Sequence, residues 1–238
     1  MKSSHLYIII SMFLAYIIII SIFVTREMEE IICKDLFVEI ESTDGYDFVI
    51  EDDIHELVVP WKLMNKKLSQ INIDSLETYI RNTDMVQEAN VYKNIEGELH
   101  ISVKSRKPLL RVVGHNGFYI DEHGKYMPLS TRSTSRVFVA SGTISQKYAR
   151  QELYPFVKLL SKDKFWTAYI EQIVVKGNDV TLIPKIGNFK IELGTLVNIQ
   201  EKMNNLLLFL EQGINKKGWN EYKTLNLKFK DQIVCVKK

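Results

Sequence analysis

A few groups of residues in this chain have types and spacing that could do chemistry. Ser161-Lys162-Asp163-Lys164 is formally an SxxK sequence, in which a lysine near a serine would draw off its proton and leave a nucleophilic oxygen. No KTG sequence accompanies it, and it falls at the end of a helical pattern beside Phe165-Trp166, so a chance match is the better reading. His115, Asp121 and His123 lie close enough in sequence to suggest a metal, but they fall on loops or turns with no compact ligand motif. The other histidines, His5, His55 and His100, stand apart. Glu29-Glu30 and Asp52-Asp53 read as a membrane flank and a helix start rather than as a general acid and base. No GxSxG, Walker loop or dinucleotide fingerprint occurs. The expected inventory is therefore no catalytic residue, no cofactor and no metal: the chain does not read as an enzyme.

Composition narrows the classes further. The chain has 238 residues, 46% of them hydrophobic, and 31 bases against 29 acids for a formal charge of +2. That is enough apolar material for two modest domains, and too little positive excess for a nucleic-acid footprint. Cys33 and Cys235 stand near opposite ends, outside any CxxC pair. A disulfide between them is permitted outside the cytoplasm. Nothing in the sequence brings the two ends together, however, and Cys235, alternating with Ile233, reads as a buried thiol.

Leu6–Val24 runs 19 residues without a charge. At helical rise it spans about 28 Å, close to one hydrocarbon core. A cleavable signal peptide would have a shorter apolar region ending in small residues, whereas this run exits through Val24-Thr25-Arg26-Glu27. An uncleaved anchor is expected over residues 6–24, after a leader of residues 1–5 and before a linker of residues 25–33. The leader carries Lys2 and His5 and no acid, which fits an N-terminus inside and the rest of the chain outside.

The stretch after the linker reads as strand, helix, helix, strand, strand over residues 34–106. Leu36–Glu41 is a strand, and residues 42–47 are turn-rich. Glu51-Asp52-Asp53 opens a short helix with Ile54, Leu57 and Val58 on one face, which Val59-Pro60-Trp61 ends. Asp74-Ser75-Leu76-Glu77 has the spacing of a capping box and starts a second helix that buries Leu76, Tyr79 and Ile80 and ends near Asn82. Val86–Lys93 and Leu99–Lys104 flank the turn Asn94-Ile95-Glu96-Gly97. In the second run Leu99, Ile101 and Val103 alternate with His100, Ser102 and Lys104, the period of a half-buried strand. Pro108 then stops the pairing.

Residues 107–238 read as a larger, mostly antiparallel β domain with packed helices, so that the whole chain is α+β. Leu109–Val113, Phe118–Ile120, Arg136–Ala140, Tyr169–Val175, Val180–Ile183 and Phe189–Leu193 are strand candidates. Gly177-Asn178 and Gly187-Asn188 are placed for hairpin turns. Ser145 is a plausible N-cap for a helix carrying Ala149, Leu153, Phe156, Val157 and Leu160, kinked at Pro155. Ile199, Met203, Leu206, Leu207, Leu210 and Ile214 form one helical stripe, a sheet-packing face. Tyr222–Phe229 and Gln232–Val236 close the chain as two strands around Lys230-Asp231. The tail Ile233-Val234-Cys235-Val236 is apolar on both faces. Two readings stand: a sheet edge able to template another strand, or a strand buried on both sides.

Two runs carry a resemblance. One is Gly97-Glu98-Leu99-His100-Ile101-Ser102-Val103-Lys104-Ser105-Arg106-Lys107-Pro108, and the other is Gly117-Phe118-Tyr119-Ile120-Asp121-Glu122-His123-Gly124-Lys125-Tyr126-Met127-Pro128-Leu129. The first unit resembles a POTRA domain, and anchor, POTRA unit and these two runs together resemble the bacterial division family FtsQ/DivIB. The resemblance implies a single-pass protein of the inner membrane with its bulk in the periplasm, placed at the division site. It implies a non-enzymatic scaffold in which the POTRA domain meets other division membrane proteins and the distal domain captures FtsB, within a complex with FtsL, to support septum assembly and regulate septal peptidoglycan synthesis. Carried over to this sequence, the partner-binding region is Thr224, Leu225, Asn226, Leu227, Lys228, Phe229, Lys230, Asp231, Gln232, Ile233 and Val234, with Phe229 as aromatic anchor and Lys228 beside it. The competing readings are a POTRA-containing secretion or outer-membrane assembly component, which should show several POTRA units or a barrel pattern, and a membrane-tethered envelope enzyme, which lacks its nucleophile and base.

Overall fold

The computed structural model describes residues 7, 10–21, 30–41, 48–214 and 218–238. Residues 10–21 are helical and exposed. No helix among the described residues is long and apolar enough to cross a membrane. The expected anchor lies partly outside the described residues, as do most of the linker and the turn-rich residues 42–47. The chain divides into two compact units that meet in sequence between Ser105 and Arg106.

In the first unit the elements are β1 (Asp35–Glu41), α1 (Glu51–Val58), α2 (Ile73–Arg81), β2 (Val86–Lys93) and β3 (Glu98–Ser105). β3 is central, antiparallel to β2 and parallel to β1. The alternation seen in the sequence is the alternation of burial: Leu99, Ile101 and Val103 sit in the core with Ile54, Leu76 and Ile80. The second helix departs from expectation at both its cap and its face. Its N-cap is Asn72, whose Oδ1 accepts from the Ser75 N–H at 2.9 Å. Asp74 is already inside the first turn. Glu77, the expected box partner, instead accepts from the Val91 N–H at 2.8 Å, tying the helix to β2. Tyr79 is exposed rather than buried and rests against Trp61.

The second unit holds one nine-stranded sheet in the order β12-β11-β10-β9-β8-β7-β4-β5-β6. These are β4 (Pro108–Val113), β5 (Phe118–Asp121), β6 (Tyr126–Met127), β7 (Phe138–Gly142), β8 (Ile170–Lys176), β9 (Asp179–Pro184), β10 (Lys190–Gly194), β11 (Tyr222–Asn226) and β12 (Val234–Lys237). The sheet is mixed. β4, β7 and β8 run parallel, β10 is parallel to β11, and the other pairings are antiparallel. Pro108 occupies the first position of β4, where a missing N–H is tolerated. Gly177-Asn178 closes β8 onto β9, while Gly187-Asn188 lies in the longer connection of residues 185–189.

Ser145 caps the next helical stretch as expected, accepting from the Tyr148 N–H at 3.1 Å. That stretch runs as α3 (Gln146–Tyr148), a π-helical turn Ala149–Leu153 and α4 (Tyr154–Ser161). Pro155 cannot donate to the carbonyl one turn back, and the widened turn falls just before it. A further helix that the apolar run concealed, α5 (Lys164–Tyr169), precedes β8 and takes Tyr169 out of the strand. α6 (Ile199–Phe209) supplies Met203 and Leu206, and the π turn after it supplies Leu210. These join Leu153, Phe156 and Leu160, with Leu110, Ile173, Leu182, Ile191 and Leu225 of the sheet, in one core.

Candidate partner-binding edge

The chemistry-bearing groups do not assemble. Ser161 ends α4 and donates to the Lys158 carbonyl at 3.0 Å, whereas Lys164 begins α5 after the break at Asp163, so the two do not share a helical turn. Asp121 is buried and occupied: Oδ1 accepts from the N–H groups of His123 (2.9 Å) and Lys125 (2.8 Å), and Oδ2 faces Arg106 Nη1 at 3.9 Å. It shapes the turn between β5 and β6. Among the described residues no three His, Cys, Asp or Glu side chains converge as metal ligands. Neither cysteine is in a disulfide; Cys33 is buried and Cys235 half-buried.

The distinctive surface is at the other end of the sheet. β12 is the outermost strand, antiparallel to β11, with Thr224 opposite Val236, Leu225 opposite Cys235 and Asn226 opposite Val234. Of the two readings of the tail, the edge is the one observed. Ile233 and Cys235 pack on the core, while Val234 and Val236 face outward at 41% and 48% exposure. A strand in this position carries unshared N–H and C=O groups on its outer side, the feature that lets an edge accept another chain.

The expected binding region splits by burial. Thr224, Leu225 and Leu227 are buried and hold β11 in place, with the Leu227 N–H donating to the Glu192 carbonyl at 2.8 Å. Asn226 accepts from the Lys228 N–H at 2.9 Å and so turns the chain out of the strand. The expected strand to Phe229 therefore stops at Asn226. Lys228, Phe229, Lys230, Asp231 and Gln232 form the exposed connection to β12, with Phe229 56% exposed. Together with Val197, Asn198, Glu201, Lys202 and Asn205 they line a concavity of about 240 Å³ beside the edge.

Two lysines fix the walls of this concavity. Lys202 donates to the carbonyls of Leu193 (2.7 Å) and Thr195 (2.9 Å), and burial pushes its pKa down. Lys228 donates to Asp179 Oδ2 at 2.6 Å, and that hydrogen bond pushes its pKa up. The α6 wall was invisible to strand-by-strand reading, since its residues looked only like the polar side of a packing helix. Val236 lies in the apolar tail of residues 233–236, on the same outward face as Val234 and alternating with Cys235.

The chain is thus a small β-α-α-β-β module followed in sequence by a unit with a large sheet that ends in an exposed apolar strand. Residues 31–104 match the POTRA-like domain model, and residues 107–236 match the model described as FtsQ/DivIB, C-terminal related. The chain belongs to the FtsQ/DivIB family, and so to the division-related scaffolds whose partners are other division proteins. Comparison with the curated proteins found no match.

Proposed function

We propose that this protein is a single-pass, membrane-anchored and non-enzymatic division scaffold that captures an FtsB-type partner, together with FtsL, by strand addition at β12. In this reading residues 6–24 cross the inner membrane and residues 34–106 and 107–238 act as POTRA and distal domains in the periplasm. A bound strand would lie along β12 and be gripped by Val234, Val236 and Phe229, with the concavity under the 228–233 connection taking a side chain. Docking would place the protein at the septum and support regulation of septal peptidoglycan synthesis. The observation that carries this is the exposed apolar character of β12 at the sheet edge.

The same geometry selects the test. Deleting residues 224–234 would remove buried strand residues and unfold the unit, so the informative variants are Phe229→Glu and Val236→Lys, which alter exposed side chains. Each should retain wild-type circular dichroism and lose most FtsB capture in pull-down. Wild-type capture by a folded double variant would overturn the assignment of this edge.

A further inference from the structure

The first unit has one end at which the chain enters from the anchor side, and that end is built from three segments. The Cys33 N–H donates to the Lys66 carbonyl, the Asn65 N–H to the Cys33 carbonyl and the Leu68 N–H to the Ile31 carbonyl, each at 2.8 Å. The Lys34 N–H donates to the Gly97 carbonyl at 2.8 Å. Gly97 has φ +96°, and a Cβ there would meet the Ile32 carbonyl oxygen at 2.6 Å, so the β2–β3 turn is pressed against the entering chain. Lys93 Nζ donates to the Leu68 carbonyl at 2.9 Å. The entering segment, residues 65–68 and the turn 94–97 thus form one end, which residues 59–64 join through a recess that Val59, Leu63 and Met64 line with Leu36.

Its composition is unusual for solvent. Val59 is 69% exposed, Ile95 73% and Met64 49%, with Ile32 also exposed, and a recess of about 550 Å³ lined in part by Leu36, Val58, Val59, Leu63 and Met64 opens at Val59 and Met64. Lys34 and Lys62 are exposed and Lys66 half-buried. Of the acids at this end, Glu30 is bound by Lys67 at 2.7 Å and Glu98 by Asn94 and His100, while Asp35, Glu96 and Glu56, the last lining the recess, face the lysines. Ile31 follows Val24 by seven positions, which even fully extended reach about 25 Å.

We infer that this end of the first unit is a membrane-contact surface, seated on anionic phospholipid headgroups with Val59, Met64 and Ile95 entering the interface. The inference rests on the proposed anchor at residues 6–24. The apolar tips supply burial and the lysines supply attraction to lipid phosphates, the combination that holds peripheral elements at a bilayer surface. A short tether removes most of the entropic cost of docking, because the surface is already held within reach of the bilayer. The unit would then stand upright on the membrane, presenting its opposite end, near Asp84, away from it.

The test uses the full chain in nanodiscs of phosphatidylethanolamine and phosphatidylglycerol, in a Cys235→Ser background, since Cys33 is buried. A fluorophore is placed on Met64→Cys, Ile95→Cys or the exposed Asp84→Cys. Asp84 is separated from the turn by the length of β2, about 25 Å. With acyl-brominated lipids, the Met64 and Ile95 labels should be quenched severalfold more than the Asp84 label. Lys62→Glu/Lys66→Glu should weaken docking by about fivefold per lysine in phosphatidylglycerol discs. If the chain stays in the discs but Met64 and Ile95 labels are quenched no more than Asp84, the contact surface is overturned and the anchor stands. If the chain does not stay in the discs, both fall. Cross-linking of the unquenched Met64 site to a protein in cells would also overturn the lipid assignment, in favour of protein docking.

Discussion

Lys228 reaches across β10 to Asp179 at the start of β9: its Nζ donates to Oδ2 at 2.6 Å, while its stem lies over Gly194 at the end of β10. This fixes the direction in which the chain leaves β11 and therefore where Phe229 stands. The hydrogen bond raises the Lys228 pKa in the folded state. A raised lysine contributes stability that is fully present below its unfolded pKa and is lost as pH rises through the folded one. Both side chains are substantially exposed, so the pair is worth about 0–1 kcal/mol. The urea midpoints of wild type and Asp179→Asn should differ slightly at neutral pH and converge at strongly alkaline pH. A gap that widens there would contradict the pairing.

Gly194 has φ +68°, and a Cβ would sit 3.0 Å from Lys228 Cγ. Gly194→Ala should cost about 1–2 kcal/mol through the left-handed backbone and displace the lysine stem. Urea denaturation reads the first effect. Weakened partner capture at a concentration where the variant is folded reads the second.

The cap of α2 gives a sharp comparison. Asn72→Ala removes the side chain that accepts from the Ser75 N–H and should cost about 1 kcal/mol. Asp74→Ala loses only a charge in the first turn, which is worth a few tenths to about 1 kcal/mol. Denaturation of the two variants should rank Asn72→Ala as the more damaging; the reverse order would restore Asp74 as the cap.

Asp121 is a buried carboxylate that accepts two backbone N–H groups and faces Arg106. Asp121→Ala leaves these donors without a partner and should cost about 3–5 kcal/mol. Asp121→Asn keeps an acceptor oxygen and should cost clearly less. Equal losses in thermal denaturation would mean that the Arg106 charge, not the turn, is what the carboxylate serves.

The two thiols should be distinguishable. Cys33 is fully buried, and burial, with Asp35 nearby, pushes its thiol pKa up, so it should react with a thiol reagent only on denaturation. Cys235, half-buried on the edge strand, should react in the native protein. Its modification should slow when a partner occupies β12. Unchanged kinetics on partner binding would place the partner elsewhere.

The first unit was legible because its sheet is half-exposed. Period-2 alternation in Leu99–Lys104 and the turn at Asn94–Gly97 are local signals, and the local and tertiary demands agree. The second unit was less so. Its parallel strands β4, β7 and β8 read as short apolar runs whose neighbours cannot be inferred from periodicity, and Tyr169, expected to open the strand to Val175, instead ends the short helix α5. At the edge, Val234 and Val236 were visible as an apolar tail, but their exposure depends on which strand lies outermost. That is a property of sheet order, and sequence spacing carries none of it.

The far side of the same sheet ends differently. β6 is only the two residues Tyr126–Met127, too short to pair along the length of β12 from another copy. Stacking of β12 on the β6 border of another copy would be a head-to-tail contact, which grows into a filament when its rotation does not close. With four residues in the β12 border and two in the β6 border, the sheet offers another copy little length for that head-to-tail pairing. The truncated border therefore works against open-ended growth of one sheet onto the next.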